Sequence, residues 1–165
     1  KRGYTRDDYR TAVAALRSLM PAIRLSTDII VGYPGETEAE FEETLSALAE
    51  FRFAGMFSFC YSPRPLTAAA RLTDGVPAEV KKRRLMEVQA LQKDIQLAFH
   101  KTLIGERERV LCTGRSKKDP AVFAGRNEGN QVVNFGSDAD VVGRFVEVEI
   151  TAAGPYSLRG IAVAG

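Results

Sequence analysis

The sequence is poor in the residues that most often carry chemistry. It holds two cysteines and one histidine in 165 residues. Two cysteines are too few for the disulfide framework of a small secreted scaffold. Cys60 and Cys112 also lack a metal-ligand spacing such as C-x-x-C. Both read as buried free thiols. His100 has no partner acid and nucleophile in a recognisable arrangement, so no catalytic triad is indicated. It reads as a satisfied or solvent-facing side chain near the end of a helix. No apolar run is long enough to span a membrane. The first residues, KRGYTRDD, lack the apolar core of a signal peptide. Nothing repeats and no segment is low-complexity. Charge of one sign is lacking too: 23 Lys+Arg against 21 Asp+Glu leave +2, so any basic site must be local. Together these absences predict a soluble, cytoplasmic protein. There is no initiator methionine, and a helix begins almost at once. The chain reads as a piece of something longer.

What is present can build a core, since 45% of residues are hydrophobic and 8% aromatic. Thr5 is an N-cap with Asp8 in a capping-box position, and Tyr9, Val13, Leu16 and Met20 follow at helical spacing up to Pro21. RLSTDIIV at 24–31 predicts a strand. Thr37 caps a second helix, with Glu40 as capping-box partner and Phe41, Leu45, Leu48 and Ala49 as its buried face. Gly55 is expected to end it, and MFSFCY at 56–61 predicts another strand. Pro77 opens a long helix with Val80, Leu85, Val88, Leu91, Ile95 and Phe99 along one face. KKRR at 81–84 reads as a solvated face of that helix, with nucleic-acid contact as the alternative. Alternating strand and helix imply parallel strands with crossover helices, whose sites collect at the carboxyl ends of the strands. After Gly105 short alternating runs take over, ERERVLCTG, VFAGR, QVVNF, RFVEVEIT and SLRGIAVAG, the pattern of a small all-β barrel. The expected fold is therefore α/β followed by all-β, with domains at 1–101 and 102–165.

Two loops follow the two early strands. In GYPGET, Gly32 and Gly35 permit close backbone approach, Pro34 stiffens the turn, and Thr37 starts a helix whose free N–H groups favour an anion. Glu36 is an acceptor for an amine or hydroxyls. The loop is read either as one wall of a small-molecule site or as a tight strand-to-helix connection. In SPRPLT, Arg64 stands between two prolines, displayed for a phosphate or carboxylate or simply exposed. The barrel offers basic and amide groups: Arg115, Lys117 and Lys118 in and beside RSKKDP, then Arg126, Asn127, Asn130 and Asn134, then Tyr156 and Arg159. Small barrels with such loops bind RNA, and basic loops also serve solubility alone.

KRGYTR, STDIIVGYPGET, YSPRPLTAAA, VPAEVKKRRL, SKKDP and GRNEGNQVVNF occur in one order. In this the whole chain resembles the carboxyl-terminal part of the tRNA methylthiotransferases, a radical S-adenosylmethionine family. The likeness is to the branch that acts on isopentenyladenosine beside the tRNA anticodon. SKKDP with GRNEGNQVVNF is the most specific part, whereas VGYPGET is shared by many radical enzymes.

The resemblance implies the last part of a partial radical SAM β/α barrel followed by a TRAM domain. It implies addition of a methylthio group to C2 of isopentenyladenosine, with S-adenosylmethionine and two 4Fe–4S clusters as cofactors. Sister enzymes act on threonylcarbamoyladenosine in tRNA or on an aspartate of a ribosomal protein; a stand-alone RNA-binding module is the non-enzymatic rival. The family's C-x-x-x-C-x-x-C has no counterpart here, so both clusters are expected outside this chain, which should be inactive alone. For the cofactor wall the resemblance assigns Ile30 to an apolar contact with adenine, Gly32 to close backbone approach, and Phe59 and Tyr61 to the adjoining wall, with Asp28 and Glu36 as polar neighbours. For RNA the candidates remain those read from residue type and loop position: Arg64, Arg115, Lys117, Lys118, Arg126, Asn130, Asn134 and Arg159. The partners implied are tRNA, an electron donor and a sulfur source, with no membrane and a monomeric intact protein. Leu66 stands where relatives have glycine and Ala68 where they have proline. A leucine resists positive φ, so the loop beyond Arg64 is expected to differ in shape.

Overall fold

The computed structural model describes residues 3–73 and 75–163. Lys1 and Arg2 of KRGYTR, and Ala164 and Gly165 at the end of SLRGIAVAG, lie outside the described residues. The chain forms two compact units, Lys1–Ile95 and Gln96–Gly165.

In the first unit, α1 (Arg6–Leu19) and α2 (Glu38–Phe51) both begin with the expected capping box. Thr5 and Thr37 accept from the backbone of Asp8 and Glu40, whose carboxylates accept in return from the cap backbones. β1 (Ser26–Val31) and β2 (Gly55–Cys60) pair in parallel, from Ser26 opposite Gly55 to Val31 opposite Cys60. Val31 is fully buried and Ile29, Met56 and Cys60 pack beside it, in a core with Val13, Phe41, Leu48, Phe51, Phe53, Val88 and Ile95. Arg6 and Arg10 of α1 converge on Glu50 of α2. Hydrogen bonds from Arg10 first, then Arg6, hold the Glu50 carboxyl down at about 2.

Several local expectations change. Ala49 is exposed, and Phe51 joins Phe41 and Leu48 in the buried face of α2. That helix ends before Gly55, at Arg52, which takes the left-handed conformation at φ 48° and donates its N–H to Leu48. Gly55 instead opens β2. Cys112 is buried as expected, but Cys60 is only half-buried. On α3 (Ala78–Lys101), Val88 and Ile95 are buried, while Val80, Leu85, Leu91 and Phe99 are half-buried. Arg84 and Gln92 complete the buried line at four-residue spacing. Gln92 donates to the Phe53 carbonyl at 2.9 Å, a backbone acceptor that an apolar side chain would leave unsatisfied.

In the second unit, β3 (Arg107–Arg115), β4 (Phe123–Asn127), β5 (Val132–Gly136), β6 (Phe145–Ala153) and β7 (Leu158–Ala162) form a closed barrel in the order β3-β4-β5-β7-β6. All five were legible as alternating runs. The β5–β7 pair is parallel and the other four are antiparallel. The interior holds Val110, Cys112, Phe123, Val133, Phe135, Val148, Ile150 and Leu158. His100 is fully buried and not solvent-facing, with Nδ1 donating to the Gly154 carbonyl at 2.6 Å.

Gly125 and Gly160 let strand backbones approach inside this small barrel. A Cβ on Gly160 would stand 2.4 Å from the Glu149 carbonyl oxygen, and one on Gly125 would stand 2.3 Å from that of Leu111. Backbone cannot yield as a flexible side chain can. Gly160→Ala is expected to cost about 1–3 kcal/mol, read as an earlier urea unfolding midpoint by circular dichroism; an unchanged midpoint would show that the strands can part without penalty.

Candidate functional site

The carboxyl end of β1 runs into a loop built around one carboxylate. Gly32 and Gly35 sit at φ 72° and 84°. The Glu36 N–H closes the turn on the Tyr33 carbonyl at 2.8 Å. Glu36 Oε2 then accepts from the Gly32 N–H at 2.6 Å and from Arg84 Nη1 at 2.7 Å. The same Arg84 nitrogen reaches the Glu36 carbonyl, and Nη2 reaches Glu38 Oε2 at 2.9 Å. Arg84 is 3% exposed, and its guanidinium lies 5.2 Å from the Phe41 ring centroid. KKRR is therefore not a uniformly solvated face: Lys82 and Arg83 are exposed, whereas Arg84 is an internal tie. Glu36, read from sequence as an acceptor for a ligand, commits Oε2 to its own protein.

The neighbouring α3 side chain completes the loop. The stem of Lys81 covers Gly32 so closely that a Cβ there would lie 2.4 Å from Lys81 Cγ. Lys81 Nζ lies 5.4 Å over the Tyr61 ring, and Tyr61 meets Tyr33 edge-on at 5.5 Å. The Tyr61 N–H donates to Val31 at 2.8 Å, extending the strand pairing by one residue.

The two strands place Asp28 opposite Phe57 and Ile30 opposite Phe59, on the face turned away from the core. Ile30, Phe57 and Phe59 are each more than half exposed. Thus Asp28, Ile30, Phe59, Gly32 and Tyr61 lie along one strip. Phe57 was missed from the sequence. Its signal was there, two residues before Phe59 in a period-two strand. Arg64 is exposed in the next loop, where its carbonyl accepts from the Thr67 N–H and hydroxyl. Leu66 takes φ 68° in that turn and is fully exposed, so the leucine adopts the glycine-like conformation that was not expected of it. With no neighbours to clash against, it meets only the local backbone strain.

On the barrel the expected RNA residues fall into separate groups. Lys117 and Lys118 are exposed in the β3–β4 loop, which the Ser116 N–H closes on the Val122 carbonyl. Arg115 stacks its guanidinium 3.7 Å from the Phe123 ring centroid. Arg126 and Asn130 lie at the other end of β4, where Arg126 Nη1 donates to the Asn130 carbonyl at 2.6 Å and Asn130 takes φ 61°. The intervening strand separates the two groups by about 15 Å at ~3.4 Å per residue. Asn134 and Arg159 are register partners on β5 and β7, Asn134 half-buried and Arg159 exposed. Tyr156 is exposed in the β6–β7 loop. At the level of Arg126, an outward row runs Phe145, Leu111, Arg126, Val132 across β6, β3, β4 and β5. Phe145 and its neighbour Arg109 were not singled out from the sequence.

Among the described residues no group of three His, Cys, Asp or Glu side chains is placed to hold a metal, and no helix is long and apolar enough to cross a membrane. Residues 101–163 match the TRAM domain family. The chain is 50% identical over 163 residues to the tRNA-2-methylthio-N(6)-dimethylallyladenosine synthase of Hahella chejuensis, covering 97% of this chain and 36% of the relative. It is 46% identical to the protein of the same name from Burkholderia thailandensis, again over 97% of this chain and 36% of the relative. For that of Halorhodospira halophila the values are 49%, 97% and 34%. The chain therefore spans about a third of the length of the curated relatives it matches, and it is a homologue of their carboxyl-terminal part.

The α3 cover makes Gly32 the most constrained residue of the loop. Gly32→Ala adds a left-handed penalty of about 1–2 kcal/mol to the clash with Lys81. In a Lys81→Ala background only the clash should be relieved. Urea unfolding of the single and double variants checks this; equal costs in both backgrounds would contradict the packing described.

Proposed function

We propose that this chain is the carboxyl-terminal part of a radical S-adenosylmethionine tRNA methylthiotransferase. In this reading residues 1–101 are the last part of its β/α barrel with the linking helix, and residues 102–165 are its RNA-binding TRAM barrel. The observation that carries the proposal is identity of 46–50% over 97% of the chain to relatives that share one name. The whole protein would add a methylthio group to C2 of isopentenyladenosine beside the anticodon. Its partners would be tRNA, an electron donor and a sulfur source, and it would act in the cytoplasm as a monomer.

The strip at the carboxyl ends of β1 and β2 suits the nucleoside end of S-adenosylmethionine. Ile30 and Phe59 offer exposed apolar surface, and Asp28 adds an exposed carboxylate on the same face. Gly32 has no side chain where Lys81 and Tyr61 close in. Ile30, Phe59 and Tyr61 would wall the adenine and Asp28 would face the polar part, while Gly32, covered by the Lys81 stem, would admit close approach only where that flexible stem moves aside. Glu36 would act mainly by shaping the loop. When bound, the cofactor supplies both the hydrogen-abstracting group and the methyl group. The residues here do not fit an iron–sulfur cluster, since two cysteines cannot supply three thiolates and no metal-ligand group of three is assembled among the described residues. Both 4Fe–4S clusters would be held by the rest of the protein. On the barrel, Lys117 and Lys118, Arg115, Arg126 with Asn130, and Asn134 with Arg159 would contact tRNA, joined by Arg64 from the β2 loop. Such contacts would be mainly phosphate contacts for the cations and base or sugar contacts for the amides.

Expressing the intact gene in cells lacking this modification should restore methylthio-isopentenyladenosine, seen by mass spectrometry of tRNA nucleosides. Methylthio on threonylcarbamoyladenosine or on a ribosomal-protein aspartate would keep the reaction and replace the substrate. No methylthio product anywhere would overturn the enzymatic reading and leave a stand-alone RNA-binding module.

A further inference from the structure

We propose that Phe145, held by Arg109, is a stacking platform for an unpaired RNA base on the outer wall of the barrel, with Leu111 and Arg126 as its flanks. The proposal rests on the RNA-binding reading above and names a site within it.

The neighbouring outward positions of β3 and β6 are polar or charged: Arg107, Arg109 and Thr113 on one strand, Glu147, Glu149 and Thr151 on the other. Phe145 and Leu111 break that pattern, and they are register partners. Phe145 is 59% exposed and Leu111 38% exposed, so neither is placed there by the core. The Arg109 guanidinium lies 4.4 Å from the Phe145 ring centroid, within cation–π distance. No carboxylate or carbonyl engages Arg109 among the described residues, although Glu147 is its register partner. The ring is thus braced on one side by a cation whose donors remain available, and open elsewhere to solvent. On the other side of Leu111 stands exposed Arg126, whose bond to the Asn130 carbonyl fixes its direction.

A flat aromatic braced by one arginine and flanked by a second matches a base joined to its phosphate. Stacking needs only a π-face, and the arginines take the charge. Glu147 and Glu149 lie farther along β6 and would repel a phosphate chain. The strand of RNA would therefore run from Phe145 toward Arg126 and the β4–β5 turn, not along β6.

The test uses the intact protein and a labelled anticodon stem–loop RNA, beside the same hairpin with abasic loop positions. Phe145→Ala should weaken binding of the natural loop by about tenfold or more. It should leave the salt dependence unchanged, because no charge is removed. Phe145→Tyr should bind as the parent does. The abasic hairpin should bind the parent more weakly and be indifferent to Phe145→Ala. Arg109→Ala should weaken binding and reduce the salt slope by about one. Circular dichroism confirms that each variant folds. If Phe145→Ala binds as the parent while Arg115, Lys117, Lys118 and Arg126 replaced together by Ala lose binding, the platform is wrong and the RNA reading survives. Equal losses on natural and abasic loops also overturn stacking. If the parent binds neither hairpin, the RNA reading fails and the platform with it.

Discussion

The first unit depends on the buried ion pair of Arg84 and Glu36. Arg84 and Glu36 have side chains only 4% and 12% exposed, so both have left water. Isolated, either charge would be costly to bury; together they are tolerated because each is also hydrogen-bonded to backbone. Arg84 reaches the Glu36 carbonyl, and Glu36 receives the Gly32 N–H. The pair therefore ties the middle of the first turns of α3 to the point where β1 ends. The rest of the loop follows from that tie. Gly32 can sit under Lys81 only because it has no Cβ, and Lys81 in turn faces Tyr61 at the end of β2. A charge pair of this kind gives less net stability than an apolar replacement of the same shape can give. Its value is that it specifies one arrangement of backbone N–H groups, strand ends and helix.

Most of the fold was legible in the sequence because it is written in local terms. Capping boxes at Thr5 and Thr37 are four-residue signals, and the five barrel strands alternate with a period of two. What escaped was set by distant partners. Arg84 reads like Lys82 and Arg83 beside it, and only the carboxylate of Glu36, far away in sequence, distinguishes it. Gln92 and His100 were polar letters on a helix, yet each is buried on a backbone carbonyl. Leu66 and Arg52 show the reverse case. Both adopt left-handed backbone that their residue type disfavours, because the surrounding turn or helix end demands it.

The candidate sites divide along the same line. The strip of Asp28, Ile30, Gly32, Phe59 and Tyr61 was named through the family resemblance; the parallel pairing sets these residues along two adjacent strands and adds Phe57 beside Asp28. The barrel surface was harder. Basic and amide residues were picked by type, but strand direction sends Lys117 and Lys118 to one end of β4 and Asn130 to the other. Register, which the sequence does not print, is what brings Phe145 beside Leu111 and Leu111 beside Arg126. The barrel thereby presents several contact groups around its wall instead of one cluster.

The central claim is that Arg84 and Glu36 act as one unit to hold the end of β1. A double-mutant cycle with Arg84→Met, Glu36→Gln and the double variant, followed by urea unfolding of the first unit, tests it most directly. Arg84→Met strands the Glu36 carboxylate and should cost about 3–5 kcal/mol; Glu36→Gln should cost less, because Arg84 keeps Glu38. The double variant should cost little more than Arg84→Met alone, a coupling of about 2 kcal/mol or more. Costs that simply add would contradict the account, because the two side chains would then be stabilising the unit independently.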